Sequence, residues 1–324
     1  MKLLLTGGAG YVGSVVARQL LEAGHELTVL DDLSRGHRQA LPTAAKHAEV
    51  DLLDREGTAA VVAEGFDGVL HFAALALVGE SVEQPEIYWR TNVTGTLNLL
   101  DGMREAGVGR LVFSSTCATY GQPDRVPIRE DESTTPTNPY GESKLAVDKM
   151  IASFCTAHGI GAVSLRYFNV AGASGDLGEH HEPETHLIPN VLRAAAGHAG
   201  HVNVFGTDYP TEDGTAIRDY IHIEDLAVAH RLALDATRPG EHLIYNLGTG
   251  TGYSVRQVID VAREVTGREI AVVESPRRPG DPARLVAASD RIKADLGWAP
   301  EKGLREIVTD AWEWHERHPG GYDD

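Results

Sequence analysis

Apolar runs of strand length recur through the first 170 residues, and longer amphipathic stretches separate them. Residues 11–24 and 87–104 are such stretches, with apolar side chains on one helical face. Strands that alternate with helices form parallel sheets that are covered on both faces. The pattern predicts an α/β fold, a doubly wound parallel sheet of the Rossmann type, with ligands at the carboxyl ends of the strands. The runs interpreted as strands or strand ends are residues 2–6, 28–30, 48–52, 67–74 and 110–113.

The second half of the chain is less regular. Residues 161–169 begin as a strand and continue into a long loop, rich in glycine and acidic residues, that runs through Glu184. Long loops above a rigid sheet commonly form binding surfaces. Residues 242–247 favour a further strand, and residues 254–266 have the pattern of an amphipathic helix.

We find no internal repeat, low-complexity tract or flexible linker that would separate two independent units. We therefore expect a dinucleotide-binding domain at residues 1–170, to which segments near 215–250 return. Residues 171–324 are expected to form most of a smaller, interleaved α/β domain that binds the substrate.

The first predicted strand runs directly into a glycine-rich turn at residues 7–13, which opens the first helix. Glycine lets the backbone approach a pyrophosphate, and the helix N-terminus offers it free N–H groups. The second strand ends at Asp31 and Asp32, about twenty positions beyond the glycines. A carboxylate there accepts the adenosine ribose hydroxyls and repels a 2′-phosphate. The order of elements predicts bound NAD, although the glycines alone would also fit a simple tight turn.

Other polar or small residues lie where predicted strands end. Asp51 is placed to reach the adenine amino group, or simply to cap the next segment. Small residues close the strand at 67–74, and residues 114–116 are Ser-Ser-Thr. Asn92 lies inside a predicted helix, where it has either a functional role or the role of a buried asparagine bonded to backbone. Their joint placement is what indicates a common site.

Tyr140 and Lys144 lie four residues apart at the start of a predicted helix and so share one helix face. A tyrosine pKa near 10 is too high for a base at neutral pH, and a nearby cation lowers it. The pair is therefore a candidate acid/base unit. For the pair alone, two common residues that fall four apart by chance on an exposed helix are the better interpretation, and the motifs elsewhere in the chain reverse that preference.

Two arginines lie in loops of the second half. Arg218 and Arg278 are far apart in sequence, and guanidinium groups brought together would clamp a diphosphate. The alternative is a pair of solvated surface arginines.

The overall charge limits the possible partners. The 324 residues carry a formal net charge of −18, which argues against nucleic acid or an anionic membrane as a partner. The apolar run at Met1–Leu5 ends at Thr6, too early for a secretory signal, and no apolar stretch approaches membrane-spanning length.

Cysteines and histidines give no metal-binding pattern. Cys117 and Cys155 have no metal-ligand spacing, and a reducing cytoplasm fits them best. His180, His181 and His186 lie in an acidic, irregular stretch without a helical HExxH pattern. We therefore expect no metal site.

Seven segments carry a resemblance to a known family: TGGAGYVGS at 6–14, HFAALALVGES at 71–81, FSSTCATYG at 113–121, NPYGESK at 138–144, RYFNVAGA at 166–173, FGTDYPTEDGTAIRDYIHIEDLA at 205–227 and RRPGD at 277–281. With them the chain resembles the extended short-chain dehydrogenase/reductase superfamily and, within it, the UDP-sugar 4-epimerases. The first and fourth segments mark the superfamily only. The part from Pro210 to His222 is far more specific to the epimerases.

The resemblance implies three catalytic residues. Tyr140 would be the base, Lys144 its electrostatic partner, also bonded to the nicotinamide ribose, and Thr116 a hydrogen-bond partner of the sugar 4-oxygen. The implied cofactor is NAD. Besides Tyr140 and Lys144, its implied contacts are Gly7, Gly10, Tyr11, Val12 and Gly13 at the pyrophosphate, Asp31 at the ribose with Asp32 and Leu33 beside it, Asp51 and Leu52 at the adenine, and Phe72, Ala73, Ala74, Leu75, Asn92, Ser114 and Phe168 elsewhere.

The implied substrate is a UDP-sugar, with the arginines on the diphosphate and Asp281 on the uridine ribose. The implied substrate contacts are Thr116, Tyr140, Asn169, His186, Leu187, Asn203, Val204, Phe205, Arg218, Tyr220, Arg278 and Asp281. The family also implies a homodimer formed through a helix bundle.

The reaction implied is the interconversion of UDP-galactose and UDP-glucose by oxidation at C4, rotation of the 4-keto sugar and reduction from the opposite face. A nucleotide-sugar 4,6-dehydratase is the nearest rival, but it has an Asp-Glu pair after the catalytic threonine, where this chain has Cys117 and Ala118. A net oxidoreductase and an inactive NAD-binding regulator rank lower, since the latter would have lost Tyr140 or Lys144.

Two positions depart from the family pattern. Ala76 stands where some relatives have a lysine near the cofactor phosphates, which would weaken NAD retention, and His186 stands where others have asparagine. The preferred sugar, whether hexose, pentose or 2-acetamido hexose, stays open.

Overall fold

The structure is a computed structural model that describes residues 1–278 and 280–322. In chain order, its strands are β1 (Lys2–Thr6), β2 (Glu26–Leu30), β3 (Lys46–Ala48), β4 (Gly68–His71), β5 (Arg110–Thr116), β6 (Gly161–Tyr167), β7 (Asn169–Ala171), β8 (Val202–Phe205), β9 (Ile217–Arg218), β10 (Tyr220–His222), β11 (His242–Leu247), β12 (Tyr253–Ser254), β13 (Val272–Ser275) and β14 (Arg284–Leu285).

The α-helices are α1 (Tyr11–Glu22), α2 (Arg55–Val62), α3 (Val78–Glu83), α4 (Pro85–Tyr88), α5 (Gly95–Ala106), α6 (Pro139–His158), α7 (Leu187–Ala195), α8 (Ile223–Ala236), α9 (Val255–Thr266), α10 (Asp290–Leu296) and α11 (Leu304–Arg317). None of the helices within the described ranges is both long enough and apolar enough to cross a membrane.

Seven strands form one parallel sheet in the order β11-β6-β5-β4-β1-β2-β3. The chain begins at β1, proceeds to the edge at β3, and returns on the other side of β1 as β4. The predicted doubly wound parallel sheet is thereby confirmed. The strand order reverses between β1 and β4, and open sheets of this class bind ligands at the carboxyl ends of the strands at that point.

Both faces of the sheet are buried, which explains why its strands are continuous apolar runs. Successive strand residues point to opposite faces. Leu3 and Leu5 pack with side chains of α1 and α8 on one face. Leu4 packs with side chains of α2, α5 and α6 on the other face. The sheet is therefore a rigid platform for the loops at its carboxyl edge.

Residues 223–247 belong to this platform although they follow irregular segments. Helix α8 covers the sheet, and β11 pairs with β6 over six residues, from His242 opposite Ala162 to Leu247 opposite Tyr167. The neighbouring segments form three small sheets, β7 with β10, β8 with β13, and β12-β9-β14. With α7, α9 and α11 they enclose a separate apolar core. The smaller region is thus interleaved with the large sheet.

The strand predicted at residues 48–52 is placed wrongly, because β3 ends at Ala48. As the edge strand it pairs only with β2, and the chain leaves the edge after Ala48. Asp51 lies in the following turn, exposed, and its Oδ1 accepts a hydrogen bond from the Leu53 N–H at 2.8 Å. In contrast, β5 is longer than predicted, and it carries Ser114 and Thr116 within the strand.

The helix predicted at residues 87–104 is confirmed, but it contains a π-helical turn at Trp89–Thr94 between α4 and α5. Such turns occur often at functional sites. This one contains Asn92, which is buried. The amphipathic pattern at 254–266 is confirmed as α9, with Ser254 as its N-cap.

Candidate active site

The glycine turn after β1 packs backbone against backbone at the switch point. A Cβ on Gly7, which has a φ of 74°, would lie 2.4 Å from the Ala73 backbone nitrogen. A Cβ on Gly13 would lie 2.1 Å from the Gly7 carbonyl oxygen. The N-cap of α1 is Gly10, so no capping side chain covers the N–H groups of the first turn. The turn is therefore an open cradle for an anionic group at a helix N-terminus.

Asp31 lies at the carboxyl end of β2, beside this cradle. It is buried, and its two oxygens accept hydrogen bonds from the N–H groups of Ala9 and Leu33, each at 2.9 Å. Burial raises the pKa of Asp31 despite these two bonds, which lower it. Leu33 has a φ of 59°, a left-handed conformation that costs a non-glycine residue about 1 kcal/mol or more. The strained turn fixes the Asp31 carboxylate at the sheet edge.

Asp32 does not share this position. It is exposed, and its Oδ1 accepts hydrogen bonds from the N–H and the hydroxyl group of Ser34. Its carboxylate is thus used within its own turn.

Asn92 is occupied by protein groups. Its amide nitrogen donates to the Leu75 carbonyl and to the Ser143 hydroxyl, each at 3.0 Å, and its Oδ1 accepts from the Leu75 N–H at 2.8 Å. Of the two interpretations of Asn92, the structure shows the buried asparagine bonded to backbone. It joins the segment after β4 to the helix that carries Tyr140.

The remaining expected cofactor contacts lie along the same edge or just below it. Leu52 is buried, and its carbonyl accepts from the Asn98 side chain at 2.8 Å. Phe72, Ala73 and Ala74 follow β4, and the ring of Phe72 lies 4.8 Å from that of His230. Phe168, between β6 and β7, is buried in a small apolar cluster.

Tyr140 and Thr116 meet because α6 starts unusually close to the end of β5. Asn138 caps α6, since its Oδ1 accepts from the Gly141 N–H at 2.9 Å. A Cβ on Gly141 would lie 2.5 Å from the Ala118 carbonyl oxygen, so only glycine allows this approach. The close contact brings the Tyr140 phenol near enough to Thr116 for Thr116 to lower its pKa.

Lys144 lies one turn further along α6 and is 4% exposed. Its Nζ donates to the Ser114 carbonyl at 3.0 Å and lies 4.8 Å from the centre of the Phe113 ring. Burial lowers the pKa of Lys144 to about 8, although Asp148 raises it. The ammonium group is thus held at the end of β5, on the helix face that carries Tyr140.

Burial raises the pKa of Tyr140, and the charge of Tyr167 adds to the rise, whereas the hydrogen bond with Thr116 lowers it. We expected Lys144 to lower this pKa. Burial is the largest influence on the pKa of Tyr140, and it also lowers the pKa of Lys144.

The expected substrate residues form a second group opposite these. Arg218 hydrogen-bonds Asp281 through Nη2 and donates to the Ile217 carbonyl at 2.8 Å. The Arg278 guanidinium lies 4.2 Å above the Phe205 ring. The charge of Arg218 lowers the pKa of Cys117, next to Thr116, although burial raises that pKa overall. Cys117 also packs in the same apolar cluster as Leu285, which pairs with Arg218 between β14 and β9, so Arg218 lies near the end of β5 that carries Thr116. Pro279 of the RRPGD segment lies outside the described residues.

The other expected substrate contacts lie on short strands, where some of their side chains are exposed and others are buried. Asn169 and Tyr220 are direct partners in the β7–β10 pair, and Tyr220 is buried. On β8, Asn203 is exposed and Phe205 is half-buried, whereas Val204 is fully buried in the apolar core. Since strand side chains alternate, the Val204 side chain belongs to the core and leaves only its backbone for a ligand.

Leu187 and His186 lie at the start of α7. Leu187 is the first residue of the helix, His186 is its N-cap, and both are half-buried. His186 lies among acidic side chains of the preceding loop, 2.7 Å from Glu179. His186 thus contacts an acidic side chain of its own loop, and its expected contact with the substrate stays a prediction.

Two residues that the sequence analysis missed support the site. Asp219 is fully buried, and it accepts hydrogen bonds from the N–H groups of Thr249, Gly250 and Ala287 and from the Thr249 hydroxyl, at 2.6 to 3.1 Å. It fixes the backbone next to Arg218. Tyr88 places its ring edge-on to Tyr140, with centroids 6.3 Å apart. The only signal for Asp219 was its place between Arg218 and Tyr220.

Comparisons with known proteins agree with this geometry. Residues 3–248 match the NAD dependent epimerase/dehydratase family. A UDP-glucose 4-epimerase of Corynebacterium glutamicum is 58% identical over 314 residues, which cover 96% of this chain and 95% of the relative. One of Streptomyces lividans is 56% identical over 326 residues, 100% of this chain and 98% of the relative. The structure of UDP-glucose 4-epimerase from Brucella ovis in complex with NAD has a TM-score of 0.92 and 44% identity, and the match covers 97% and 98% of the two chains.

Proposed function

The chain belongs to the NAD dependent epimerase/dehydratase family, and from that premise we propose that it interconverts UDP-galactose and UDP-glucose with NAD as its cofactor. The sugar is oxidised at C4, turns over as the 4-keto sugar and is reduced from its other face. The observation that carries the proposal is the meeting of Tyr140, Thr116 and Lys144 at a strand end that also faces Arg218. Near-complete relatives that share more than half of their residues with this chain support it.

The residues at the switch point fit NAD. The cradle at Gly7 and Gly13 is closed to any side chain, and the uncapped first turn of α1 suits a pyrophosphate. The Asp31 carboxylate, fixed beside the cradle, suits ribose hydroxyls and repels a 2′-phosphate. When bound, NAD takes a hydride from C4 and returns it, so it is not consumed.

Tyr140 is proposed to take the proton of the 4-hydroxyl group and to give one back in the second half of the cycle. Thr116 would orient the sugar oxygen, and it lies near the Tyr140 phenol. Lys144 would hold the ribose end of the cofactor and favour the phenolate. Burial disfavours the charged form of both groups, so we expect proton removal from the 4-hydroxyl group to need bound cofactor and substrate.

The nucleotide is proposed to be held at the opposite side of the site. Arg218 and Arg278 would contact the diphosphate and Asp281 the uridine ribose. Arg218 already pairs with Asp281, and Arg278 stacks on Phe205, so both guanidinium groups are positioned before a substrate arrives. Such preorganisation reduces the entropy lost on binding.

A 4,6-dehydratase is the nearest alternative, since it begins with the same oxidation. Elimination of the 6-hydroxyl group needs a further acid/base group beside the catalytic threonine. Cys117 and Ala118 occupy those positions, and burial raises the pKa of the Cys117 thiol to about 12, which rules it out as a base. A UDP-pentose or a 2-acetamido sugar remains a second candidate substrate for the same chemistry.

The test mixes the protein as purified with UDP-galactose, without added NAD, and follows the anomeric protons by NMR. A drift towards UDP-glucose that Tyr140→Phe abolishes is the expected result. A 4-keto-6-deoxy product would establish the dehydratase instead. If neither UDP-galactose nor UDP-glucose is converted with NAD added, the substrate assignment is wrong and other UDP-sugars become the candidates.

We also propose that the chain is a cytoplasmic homodimer. Four apolar side chains are exposed between α3 and α5: Val78 (47%) and Val82 (62%) of α3, Trp89 of the π-turn (41%) and Leu97 of α5 (38%). Exposed apolar patches of this kind commonly mark interfaces. Both cysteines are free thiols, which suits a reducing compartment. Light scattering on the wild type and on Trp89→Glu tests the interface, and a monomeric wild type would exclude it.

A further inference from the structure

The loop between β7 and α7 carries four side chains that bind metals elsewhere in proteins. They occur within eight residues, in the spacing Glu-x-His-x-x-Glu-x-His, and we refer to them as the loop cluster: Glu179, His181, Glu184 and His186. From the sequence we expect no metal here, because the stretch lacks a helical HExxH pattern. The fold nevertheless brings one ligand atom of each side chain to within 4.8 Å of the others.

The distances within the loop cluster suit a small coordination shell. His186 Nδ1 lies 2.7 Å from Glu179 Oε1 and 3.4 Å from Glu184 Oε1. His181 Nδ1 lies 3.5 Å from Glu179 Oε1 and 3.6 Å from Glu184 Oε2. In a tetrahedral zinc site, bonds of about 2.0–2.1 Å place neighbouring ligand atoms about 3.3 Å apart. Three of the four distances are within a few tenths of an ångström of that value.

The polar atoms are buried and incompletely satisfied. Within the described part of the chain, neither His181 Nδ1 nor His186 Nδ1 has a hydrogen-bond partner, although both atoms are buried. The carboxylate side chains of Glu179 and Glu184 are only 6% and 4% exposed. A buried nitrogen without a hydrogen-bond partner is unfavourable, and two buried carboxylates repel each other unless a cation lies between them.

Ion pairs between protonated histidines and glutamates are the alternative, and they would align each Nδ1–H with a carboxylate oxygen. His186 Nδ1 comes within 2.7 Å of Glu179 Oε1, a distance that also fits an ion pair, but neither His181 Nδ1 nor His186 Nδ1 makes a hydrogen bond with good geometry. One ligand atom of each of the four side chains lies within 4.8 Å of the others, which is close enough for all four to bind a single ion.

We infer that the loop cluster binds one Zn²⁺ ion through two imidazole nitrogens and two carboxylate oxygens. Mg²⁺ and Ca²⁺ prefer shells made only of oxygen, and Cu²⁺ prefers square-planar shells, whereas a compact shell of two nitrogens and two oxygens suits zinc. Four protein ligands leave no open position, so the site is structural. The two carboxylates balance the charge of the ion.

The site would fasten a long loop at the point where it enters the substrate region. At the other end of the loop, the Tyr11 hydroxyl donates to the Gly172 carbonyl at 2.7 Å. Burial is the main cause of the raised pKa of Tyr11, and the charges of Glu179 and Glu184 add to it, so the loop cluster lies close enough to Tyr11 to act on it. Leu187, an expected substrate contact, follows His186 directly. Zinc would therefore hold residues 179–187 against the dinucleotide cradle.

The test uses untagged protein purified without chelators, and it is independent of the proposed function. Elemental analysis should find about one zinc per chain in the wild type. His181→Asn and Glu184→Gln should each weaken zinc binding on the order of 10- to 100-fold or more. His201→Asn, an exposed histidine in another loop, is the matched control and should keep the metal.

Two readouts avoid the risk that a variant misfolds. The wild type stripped by a chelator should regain thermal stability when Zn²⁺ alone is added, and replacement with Co²⁺ should give the intense visible absorption of a tetrahedral site. The inference would be overturned if the wild type contained no zinc and its melting temperature did not change when Zn²⁺ was added. Equal zinc in His181→Asn, or a weak octahedral cobalt spectrum, would also overturn it.

Discussion

Replacing Lys144 with methionine should stabilise the protein freed of NAD near neutral pH. The Lys144 side chain is almost fully buried, and burial lowers its pKa from 10.5 to about 8. At about 1.4 kcal/mol per pH unit, keeping this group charged in the folded state costs about 3 kcal/mol. Methionine has a similar length and no charge. It loses the hydrogen bond to the Ser114 carbonyl, worth about 1–3 kcal/mol, so the gain at pH 7 is about 1 kcal/mol.

The dependence on pH separates the two effects. The pKa of Lys144 in the folded protein lies below its unfolded value, so the unfolded chain holds more protons between pH 8 and 10.5. The free energy of unfolding of the wild type therefore rises with pH through this window. The free energy of unfolding of Lys144→Met should not show this rise with pH. The advantage of the variant should fall by about 2.5 kcal/mol between pH 7 and pH 10.

The assay is denaturant unfolding of the NAD-free wild type and of Lys144→Met at pH 7 and pH 10. The free energy of unfolding of the wild type is subtracted from that of the variant at each pH. The contributions of all titrating groups common to both proteins then cancel. Lys149→Met on the same helix removes an exposed ammonium group, so it should change the free energy of unfolding by less than about 0.5 kcal/mol at either pH. A Lys144→Met difference that stays constant or grows between the two pH values would refute the reasoning.

Three further substitutions test the support of the site. Asp219→Asn should destabilise the protein by about 3 kcal/mol and raise KM for the UDP-sugar, because an amide cannot accept all four hydrogen bonds; unchanged unfolding would contradict this. Gly141→Ala should lower kcat and cost about 1–3 kcal/mol, since its Cβ would meet the Ala118 carbonyl at 2.5 Å, and full activity would show that the contact is not needed. Asp31→Asn should weaken NAD binding about tenfold in a fluorescence titration, because one charged acceptor is lost, and wild-type affinity would exclude the ribose role.

Local patterns predicted the parts of the site that lie within one strand–turn–helix unit. The glycine turn and Asp31 follow strands whose apolar runs are unmistakable, and Tyr140 and Lys144 share a helix face whatever the tertiary structure. The expected roles of these residues stay predictions, because their placement at the sheet edge does not by itself establish which groups they bind.

Features that depend on contacts distant in sequence were missed or misplaced. Asp219 is a buried acceptor only because residues 249–250 and 287 return to it. Asn92 in the π-turn hydrogen-bonds Leu75 and Ser143. The helical pattern of apolar residues in the sequence does not predict these bonds. Asp51 was placed on a strand because the edge strand β3 has a weak pattern. The loop cluster has no regular secondary structure from which its convergence could be inferred.

The distribution of fixed groups in the site explains how one enzyme can reduce both faces of a sugar. At the nucleotide end, Arg218 is paired and Arg278 is stacked, so the anchor is rigid before binding. At the other end, the proposed catalytic contacts are only two side chains, Thr116 at the end of β5 and Tyr140 at the start of α6. A substrate held mainly by its diphosphate can present either face of C4 without losing its anchor. The contacts to the nucleotide contribute the same binding energy in both orientations of the sugar, so they do not favour one epimer over the other.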